Sequence, residues 1–235
     1  MQVTPKCNYM FTNYDASFAP AFEHKSRSSD YYTKKQKATV MATTALGVAA
    51  STAILAKRAG YSLKPEKMFK NIKKSYLANV KYKEKEVITI GAGSCLGGLA
   101  GGYMIDKNKE NRKAKNRETL MHFGNIAIPI LTVGALVDNV FEKSGPTQKA
   151  IAGLLGVTAG IFLANIVMNK VCNFLFQDNS KERGVELTDL PAHLDDVVVA
   201  ANLISDAKPV KVLGRVIPLA LMVSGNEAGT ATAYD

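Results

Sequence analysis

The sequence predicts an all-α protein: a multi-pass transmembrane helical bundle of about four spans, with a basic amphipathic interfacial helix and a partly embedded C-terminal element. Four runs without Asp, Glu, Lys or Arg are each 19 or 20 residues long, at 38–56, 87–105, 119–137 and 150–169. Lys and Arg outnumber Asp and Glu by 30 to 20, and this excess is concentrated between the runs. Glycine and alanine recur at four-residue intervals inside the runs.

The length of the four runs is the first argument for membrane spans. A helix rises ~1.5 Å per residue, so about 20 apolar residues cross a hydrocarbon core of roughly 30 Å. Four such runs in 235 residues would leave a soluble protein too little polar surface. The first two runs are rich in small residues and only weakly lipid-seeking, the third contains Pro129, and the fourth is the most apolar.

The remaining segments complete the predicted organisation. Residues 1–36 form a polar, aromatic tail without an apolar core behind a positive N-terminus, so we expect no cleavable signal peptide. The helical bundle occupies 37–175, and a C-terminal interfacial region with a shallow apolar run occupies 176–225. We expect residues 226–235 to be a disordered tail.

Residues 57–86 are the largest basic block and contain ten Lys and Arg. Apolar residues recur within the block at helical spacing, which is typical of a basic amphipathic helix lying on an anionic membrane surface. The predicted partner is therefore a bilayer with anionic headgroups. The headgroup contacts are assigned to four lysines, namely Lys67, Lys70, Lys73 and Lys74.

The distribution of positive charge predicts a multi-pass topology with basic loops mostly in the cytoplasm. Block 106–118 is basic and 138–149 is not, so the third and fourth runs form a hairpin that starts in the cytoplasm. Two spanning helices cannot, however, keep the N-terminal lysines, block 57–86 and block 106–118 on one side. Either block 57–86 is external, or one of the first two runs enters the membrane without crossing it.

The segment GAGSCLGGLAGG, residues 91–102, carries the most specific local pattern. Glycines at four-residue spacing line one helix face and let a second helix approach closely. This stretch resembles the packing faces of glycine-zipper membrane proteins, which implies tight helix packing, through self-association or with another membrane protein. The predicted packing residues are Gly93, Gly97, Gly101, Gly98, Gly102, Gly156 and Gly160; Ala45, Ala49 and Ala53 repeat the spacing in the first run.

The same segment also resembles the glycine turn of a flavin- or nicotinamide-binding domain. Two observations weigh against that alternative. The spacing is GxGxxxG rather than GxGxxG, and a basic block follows where a second strand and an acidic ribose ligand should stand. A dinucleotide-binding enzyme is therefore the weakest functional hypothesis.

Four polar residues within or beside the apolar runs are candidates for a path through the bundle: His122, Asn125, Asp138 and Asn165. Polar groups at membrane depth are costly and often line an ion or solute path. The alternative is that His122 and Asp138 reach water at helix ends while the two asparagines bond neighbouring helices. A pore or transporter is therefore the alternative to the structural, self-associating bundle that we expect.

Other chemistry has little support in the sequence. Cys7, Cys95 and Cys172 are far apart, with no CxxC pair, so we expect neither a metal site nor a disulfide. His193 and Asp195 do not converge as helical ligands, and no triad, HExxH or Walker pattern is present, so we expect no catalytic residue and no cofactor. Basic and apolar residues occupy separate blocks, which is untypical of nucleic-acid binding.

Overall fold

The computed structural model describes residues 31–62, 82–176 and 216–233. These residues form five helices and, within those ranges, no strand. The helices are α1 (Lys34–Arg58), α2 (Glu84–Ile105), α3 (Lys109–Gly134, continued by a π-helical segment, Ala135–Val140), α4 (Pro146–Phe176) and α5 (Ile217–Thr230). By length and composition, α1, α2, α3 with its extension, and α4 are each able to cross a membrane. The predicted all-α fold with four candidate spans is confirmed.

Local sequence explains where several helices begin and end. Thr33 caps α1 in a capping box with Gln36, and the Asn108 side chain accepts a hydrogen bond from the Glu110 amide at the start of α3. Gly60, just after α1, has φ +80°, a backbone conformation that glycine adopts without strain. These caps lie in the polar segments that flank the apolar runs.

Helix α2 is at the centre of the arrangement. It runs antiparallel to both α1 and α3, and it runs parallel to α5, which lies in the groove between α1, α2 and α3. Helix α4 runs antiparallel to α3 and packs mainly on α3 and its π-helical extension. The described chain is therefore a central group of α1, α2, α3 and α5 with α4 added at one side.

The helix directions define two ends of the bundle. At one end the start of α1 meets the α2–α3 connection (residues 106–108) and the ends of α4 and α5. We call it the network end, because buried polar side chains form a hydrogen-bond network there. The end of α1, the start of α2 and the α3–α4 connection (residues 141–145) lie at the other, which we call the opposite end. Because α1 and α2 both run the full length of the bundle, residues 57–62 and 106–108 lie at different ends.

Many large apolar side chains lie on the surface of the bundle, in addition to those that form its core. The interior between α1, α2 and α5 contains glycines and buried hydroxyl side chains, including Thr44, Ser51, Ser94 and Ser224. Large apolar side chains point outwards, with Leu46 68 % exposed and Leu154 64 % exposed. The other outward-facing residues include Ile54, Leu96, Met104, Leu131, Ile151, Leu155, Phe162, Ile166 and Leu219.

The C-terminal region differs from the sequence prediction. Residues 226–230 are the last turn of α5 rather than part of a disordered tail, and Ala228, Gly229, Ala231 and Thr232 are buried. The apolar run that we expected to be shallow belongs to the same helix. The prediction was wrong because small and polar residues that are typical of a loop pack here against the glycines of α2.

Several predictions fall outside the described residues. The four headgroup lysines, Lys67, Lys70, Lys73 and Lys74, belong to residues 63–81. Most of the polar N-terminal tail and of the interfacial region, with His193 and Asp195, is likewise outside the described ranges. The amphipathic surface helix and its lipid contacts stay predictions.

Candidate functional site at the network end

Lys115 on α3 is the centre of a buried polar network. Its side chain has no exposed surface, although four methylene groups and an ammonium group must be accommodated. The Nζ atom donates hydrogen bonds to the Tyr32 hydroxyl and the Ala231 carbonyl, both at 2.5 Å, and lies 3.7 Å from a carboxylate oxygen of Asp106. A buried charge is tolerated only when such partners replace water.

Asp106, directly after α2, is the acidic member of the network. Its Oδ2 atom accepts hydrogen bonds from Tyr32 Oη at 2.5 Å and Asn111 Nδ2 at 2.7 Å, and its Oδ1 atom accepts one from the Asn108 amide at 2.8 Å. Burial acts to raise the pKa of this carboxyl. The hydrogen bonds and the Lys115 ammonium outweigh burial and hold the pKa below its ordinary value of 3.8.

Asn111 extends the network to the segment after α5. Its amide nitrogen also lies 3.1 Å from the Tyr31 hydroxyl, and its Oδ1 atom accepts a hydrogen bond from the backbone amide of Ala233 at 3.0 Å. With Lys115 bound to Ala231, the network joins four separate parts of the chain: the residues before α1, the α2–α3 connection, α3, and residues 231–233.

Arg112 fixes the turn between α2 and α3 beside this network. Its guanidinium donates to the carbonyls of Tyr103 at 3.1 Å and Asp106 at 3.0 Å, and it lies 4.8 Å from the centre of the Tyr103 ring. The last carbonyls of a helix lack helical partners, so a nearby guanidinium satisfies them and complements the helix dipole. Two cations of the basic block, Lys115 and Arg112, therefore have structural partners.

His122 lies two turns further along α3, where α3 meets α5. Its Nε2 atom is 3.9 Å from a carboxylate oxygen of Glu118 on the same helix and 3.8 Å from one of Glu227 on α5. The imidazole is buried, whereas both carboxylates are partly exposed. In its protonated form His122 would bridge the two helices electrostatically.

The glycines of α2 lie on two faces that contact different helices. Gly93, Gly97 and Gly101 face α1, where a Cβ would overlap the backbone or hydroxyl groups of residues 40–51. Gly98 and Gly102 face α5, where a Cβ would overlap the carbonyl oxygens of Gly225 and Gly229. The aliphatic part of Lys115 also passes Gly102, whose Cβ would lie 2.9 Å from the lysine Cδ.

The two predicted packing glycines of α4 lie against α3. A Cβ at Gly156 would be 2.9 Å from Cα of Val133, and one at Gly160 would overlap the backbone of Pro129. All seven predicted packing glycines are thus placed against other helices of the same chain. The alanines of α1 are different: Ala49 is exposed, and Ala45 and Ala53 are partly exposed.

The four candidate path residues are spread along the bundle. His122 faces α5, whereas Asp138 is exposed on the π-helical segment 16 positions later, which is roughly 20–25 Å away along the helix. Asn125 is half-buried on α3, and Asn165 on α4 accepts a hydrogen bond from Asn169 at 2.9 Å. His122 therefore lies about half-way along the bundle and Asp138 near the opposite end, so the two side chains do not share a site.

The structure also bears on the enzymatic and metal hypotheses. Residues 91–102 are helical throughout, so the strand and glycine turn of a dinucleotide-binding fingerprint are replaced by a packing face. Among residues 31–62, 82–176 and 216–233, no group of three His, Cys, Asp or Glu side chains could hold a metal ion. Cys95 and Cys172 are buried free thiols.

Sequence reasoning missed the network because its residues lie in an apparently solvated basic block. The signal was present: Asn111 and Lys115 are four apart and share a helix face, and Asp106 precedes the helix start. The partners Tyr32 and Ala231 are distant in sequence, and no local pattern connects them to Lys115.

Comparisons with protein families, curated proteins and solved structures found no match for this chain. The fold and the network define its class only as an α-helical protein with four potential membrane spans.

Proposed function

We propose that this protein is a multi-pass membrane protein whose helical bundle has a structural role. The observation that carries the proposal is the number of large apolar side chains that are exposed on the four long helices. Leu46, Leu154 and Phe162 are each at least 60 % exposed, while glycines and buried hydroxyl groups line the contacts between α1, α2 and α5. In water this arrangement would leave large apolar patches uncovered, whereas lipid tails solvate them without cost.

The buried hydroxyl groups suit this environment. Ser94 donates to the Leu221 carbonyl at 2.6 Å, which links α2 to α5, and Thr44 donates to the Val40 carbonyl at 2.8 Å within α1. In a hydrocarbon solvent, helices associate through close packing and such hydrogen bonds rather than through a hydrophobic drive. The small residues of α2 supply that packing on two faces.

Close backbone packing supports a structural role over a pore through the centre. The contacts of Gly93 with Gly47 and of Gly98 with Gly225 leave no room for even a methyl group between α2 and its neighbours α1 and α5. A solute path between these helices would require their separation. The structural role is therefore the better supported function.

Self-association is assigned to the outer face of α1. The seven glycines are occupied within the chain, whereas Ala49 faces outwards, flanked by the partly exposed Ala45 and Ala53. A second copy could approach closely along this alanine face. The predicted oligomer is therefore still proposed, with an interface formed by the alanines of α1 instead of by the glycines.

The membrane proposal is tested by extraction. The chain should stay with membranes in high salt and alkaline carbonate and should enter solution only with detergent. A purified chain that remains dispersed and monomeric in detergent-free buffer would contradict it.

The self-association proposal is tested separately by cross-linking in detergent micelles and liposomes. Ala49→Leu should reduce the cross-linked dimer at least about tenfold, since a larger side chain separates helices that pack through small residues. Ala159→Leu makes the same change at an exposed position on α4 and should leave the dimer unchanged. Equal effects of the two changes, or no effect of Ala49→Leu, would contradict an α1 contact.

A pore or transporter is the second candidate, favoured by the geometry of α5. This helix has 14 residues and begins within the bundle, with Ile217 buried and Leu221 level with Ser94 near the middle of α2. Helices that end at membrane depth are typical of transporters. Ion flux in reconstituted liposomes that His122→Ala or Asn165→Ala abolishes would favour this candidate, and tight oligomers without flux would favour the structural role.

A further inference from the structure

We propose that α5 together with residues 231–233 is a strap that docks onto a unit formed by α1, α2 and α3 and opens locally, and that Lys115 fastens it. This device goes beyond the structural role, because it assigns the bundle an internal conformational equilibrium. It rests on the length of α5, the nature of its seat and the position of its polar contacts.

Helix α5 is too short to cross a bilayer by itself, so spanning the membrane does not fix its position. Fourteen residues extend about 21 Å, which is less than the roughly 30 Å of a hydrocarbon core. The other four long helices each meet the requirement for a membrane span. The position of α5 is therefore set by its contacts with protein.

The second half of α5 packs through glycines in close backbone contact rather than through large side chains. We call the surface of α1 and α2 that it packs against the seat of α5. Gly225 packs on Ser94 and Gly98, and Gly229 packs on Gly98 and Val40. Such contacts are favourable only at short range, because dispersion falls steeply when two surfaces separate by a fraction of an ångström. We therefore expect α5 to be either fully docked on this surface or released from it.

Besides the hydrogen bond from Ser94 to the Leu221 carbonyl, three polar contacts hold the end of the strap. Lys115 binds the Ala231 carbonyl, Asn111 accepts from the Ala233 amide, and Glu227 lies 3.8 Å from His122. The aliphatic part of Lys115 and the Gly229 carbonyl both lie against Gly102, so the lysine side chain runs beside the contact between α2 and α5. Release of the strap would remove a carbonyl partner from a fully buried ammonium group, which couples docking to completion of the network.

The seat that release uncovers is a groove of small residues on α2. Ser94, Gly98 and Gly102 line it, and Ile126 of α3 lies beside it. Helices with small-residue faces fit such a groove. In the docked state α5 occupies it fully.

Hydrogen exchange of the full chain in detergent micelles, followed by mass spectrometry, tests the strap. In the native chain, peptides from 217–233 should exchange faster than peptides from α2 and α3, because local opening precedes global unfolding. Lys115→Met should accelerate exchange of 217–233 by at least about tenfold, since it removes charge-assisted hydrogen bonds from a buried site. Lys113→Met, an exposed position on the same helix, should change nothing.

The behaviour of the other helices decides the outcome. Unchanged exchange of α1, α2 and α4 in Lys115→Met supports the strap. If this variant instead loosens every helix, Ala233→Pro decides, because it removes the backbone N–H that binds Asn111 and leaves the Lys115 side chain in place. Faster exchange confined to 217–233 in that variant supports the strap, whereas a uniform change, or exchange of 217–233 as slow as that of α2 in the native chain, overturns it.

Discussion

At the residue scale, the main feature is a lysine that carries its charge into the protein interior. Lys115 has no exposed surface and is bound by a phenol, a backbone carbonyl and a nearby carboxylate. Truncating one partner of such a pair is more harmful than removing both, because an uncompensated charge remains buried. Asp106 is therefore as important to the network as Lys115.

The lowered pKa of Asp106 predicts how stability depends on pH. A carboxyl whose pKa is lower in the folded state stabilises that state above its unfolded pKa, and this contribution is lost as pH falls through the folded value. The midpoint of thermal unfolding in micelles should therefore change little through this group between pH 7 and 5. It should fall once pH drops below the ordinary value of 3.8.

Asp106→Asn removes the charge that sets this dependence. At pH 7 it should reduce the free energy of unfolding by about 1–3 kcal/mol, because Lys115 stays buried with one partner fewer. The acid-induced decrease should also become shallower. Glu110→Gln, an exposed change in the same segment, is the control, and an equal loss in both variants would contradict the role of Asp106.

Gly98 allows a second prediction at this scale. Gly98→Ala places a methyl group where the Gly225 carbonyl oxygen lies, so α2 and α5 must separate. The free energy of unfolding should fall by about 1–3 kcal/mol, as expected for overpacking. Gly145→Ala makes the same change in open space and should have little effect. Denaturant unfolding in micelles measures the stability of both variants. A Gly98→Ala variant as stable as the native chain would contradict the close contact between α2 and α5.

At the scale of elements, α2 and α4 differ in how many neighbours they have. Helix α2 contacts α1, α3 and α5, and its exposed face is the one that carries Leu96 and Met104. Helix α4 packs mainly on α3, through Gly156 and Gly160, and its outer face carries large apolar side chains. Pro129 lies opposite Gly160, where the absence of a side chain accommodates the backbone beside the proline ring.

The peripheral position of α4 predicts that it can be loosened without loss of the central group. Gly160→Leu should separate α4 from α3, because the new side chain would overlap Pro129. Hydrogen exchange should then rise in α4 peptides while α1 and α2 peptides keep their protection. Leu163→Ala, at an exposed position on α4, is the control; loosening of all helices by Gly160→Leu would contradict this division of the bundle.

At the scale of the whole molecule, the bundle places positive charge at both ends. Block 57–86 begins at the opposite end with Lys57 and Arg58, and block 106–118 begins at the network end. If α1 and α2 cross a bilayer, these blocks lie on different sides, and the basic loops cannot all be cytoplasmic. Part of the charge at the network end is internal, since Lys115 is buried and Arg112 is bound to carbonyls.

Cysteine labelling in sealed vesicles tests this topology. In a cysteine-free background, Lys35→Cys and Lys107→Cys should react with a membrane-impermeant maleimide from one side. Ser62→Cys and Ser144→Cys should react from the other, because both flank the opposite end. Reaction of Ser62→Cys together with Lys107→Cys would show that α1 and α2 do not both cross the membrane.

The sequence by itself determined the fold class and the four long helices. Uncharged runs of about 20 residues and glycine spacing are local properties, and local properties fix helix formation and length. The same reasoning located the seven packing glycines, each of which lies against another helix. It failed at residues 226–230, where small residues permit either a loop or a closely packed helix.

Only the tertiary structure decided which helices the glycines contact, where α5 lies and why Lys115 is buried. Tyr32 and Ala231, the two hydrogen-bond acceptors of Lys115, are 83 and 116 residues away along the chain, and such a network is formed only when helix ends converge. From the charge pattern alone, a lysine in a basic block is expected to be exposed to solvent. Whether the lysine can be buried depends on the hydrogen-bonding groups that replace water around it, and those groups come together only when α1, α2, α3 and α5 are packed.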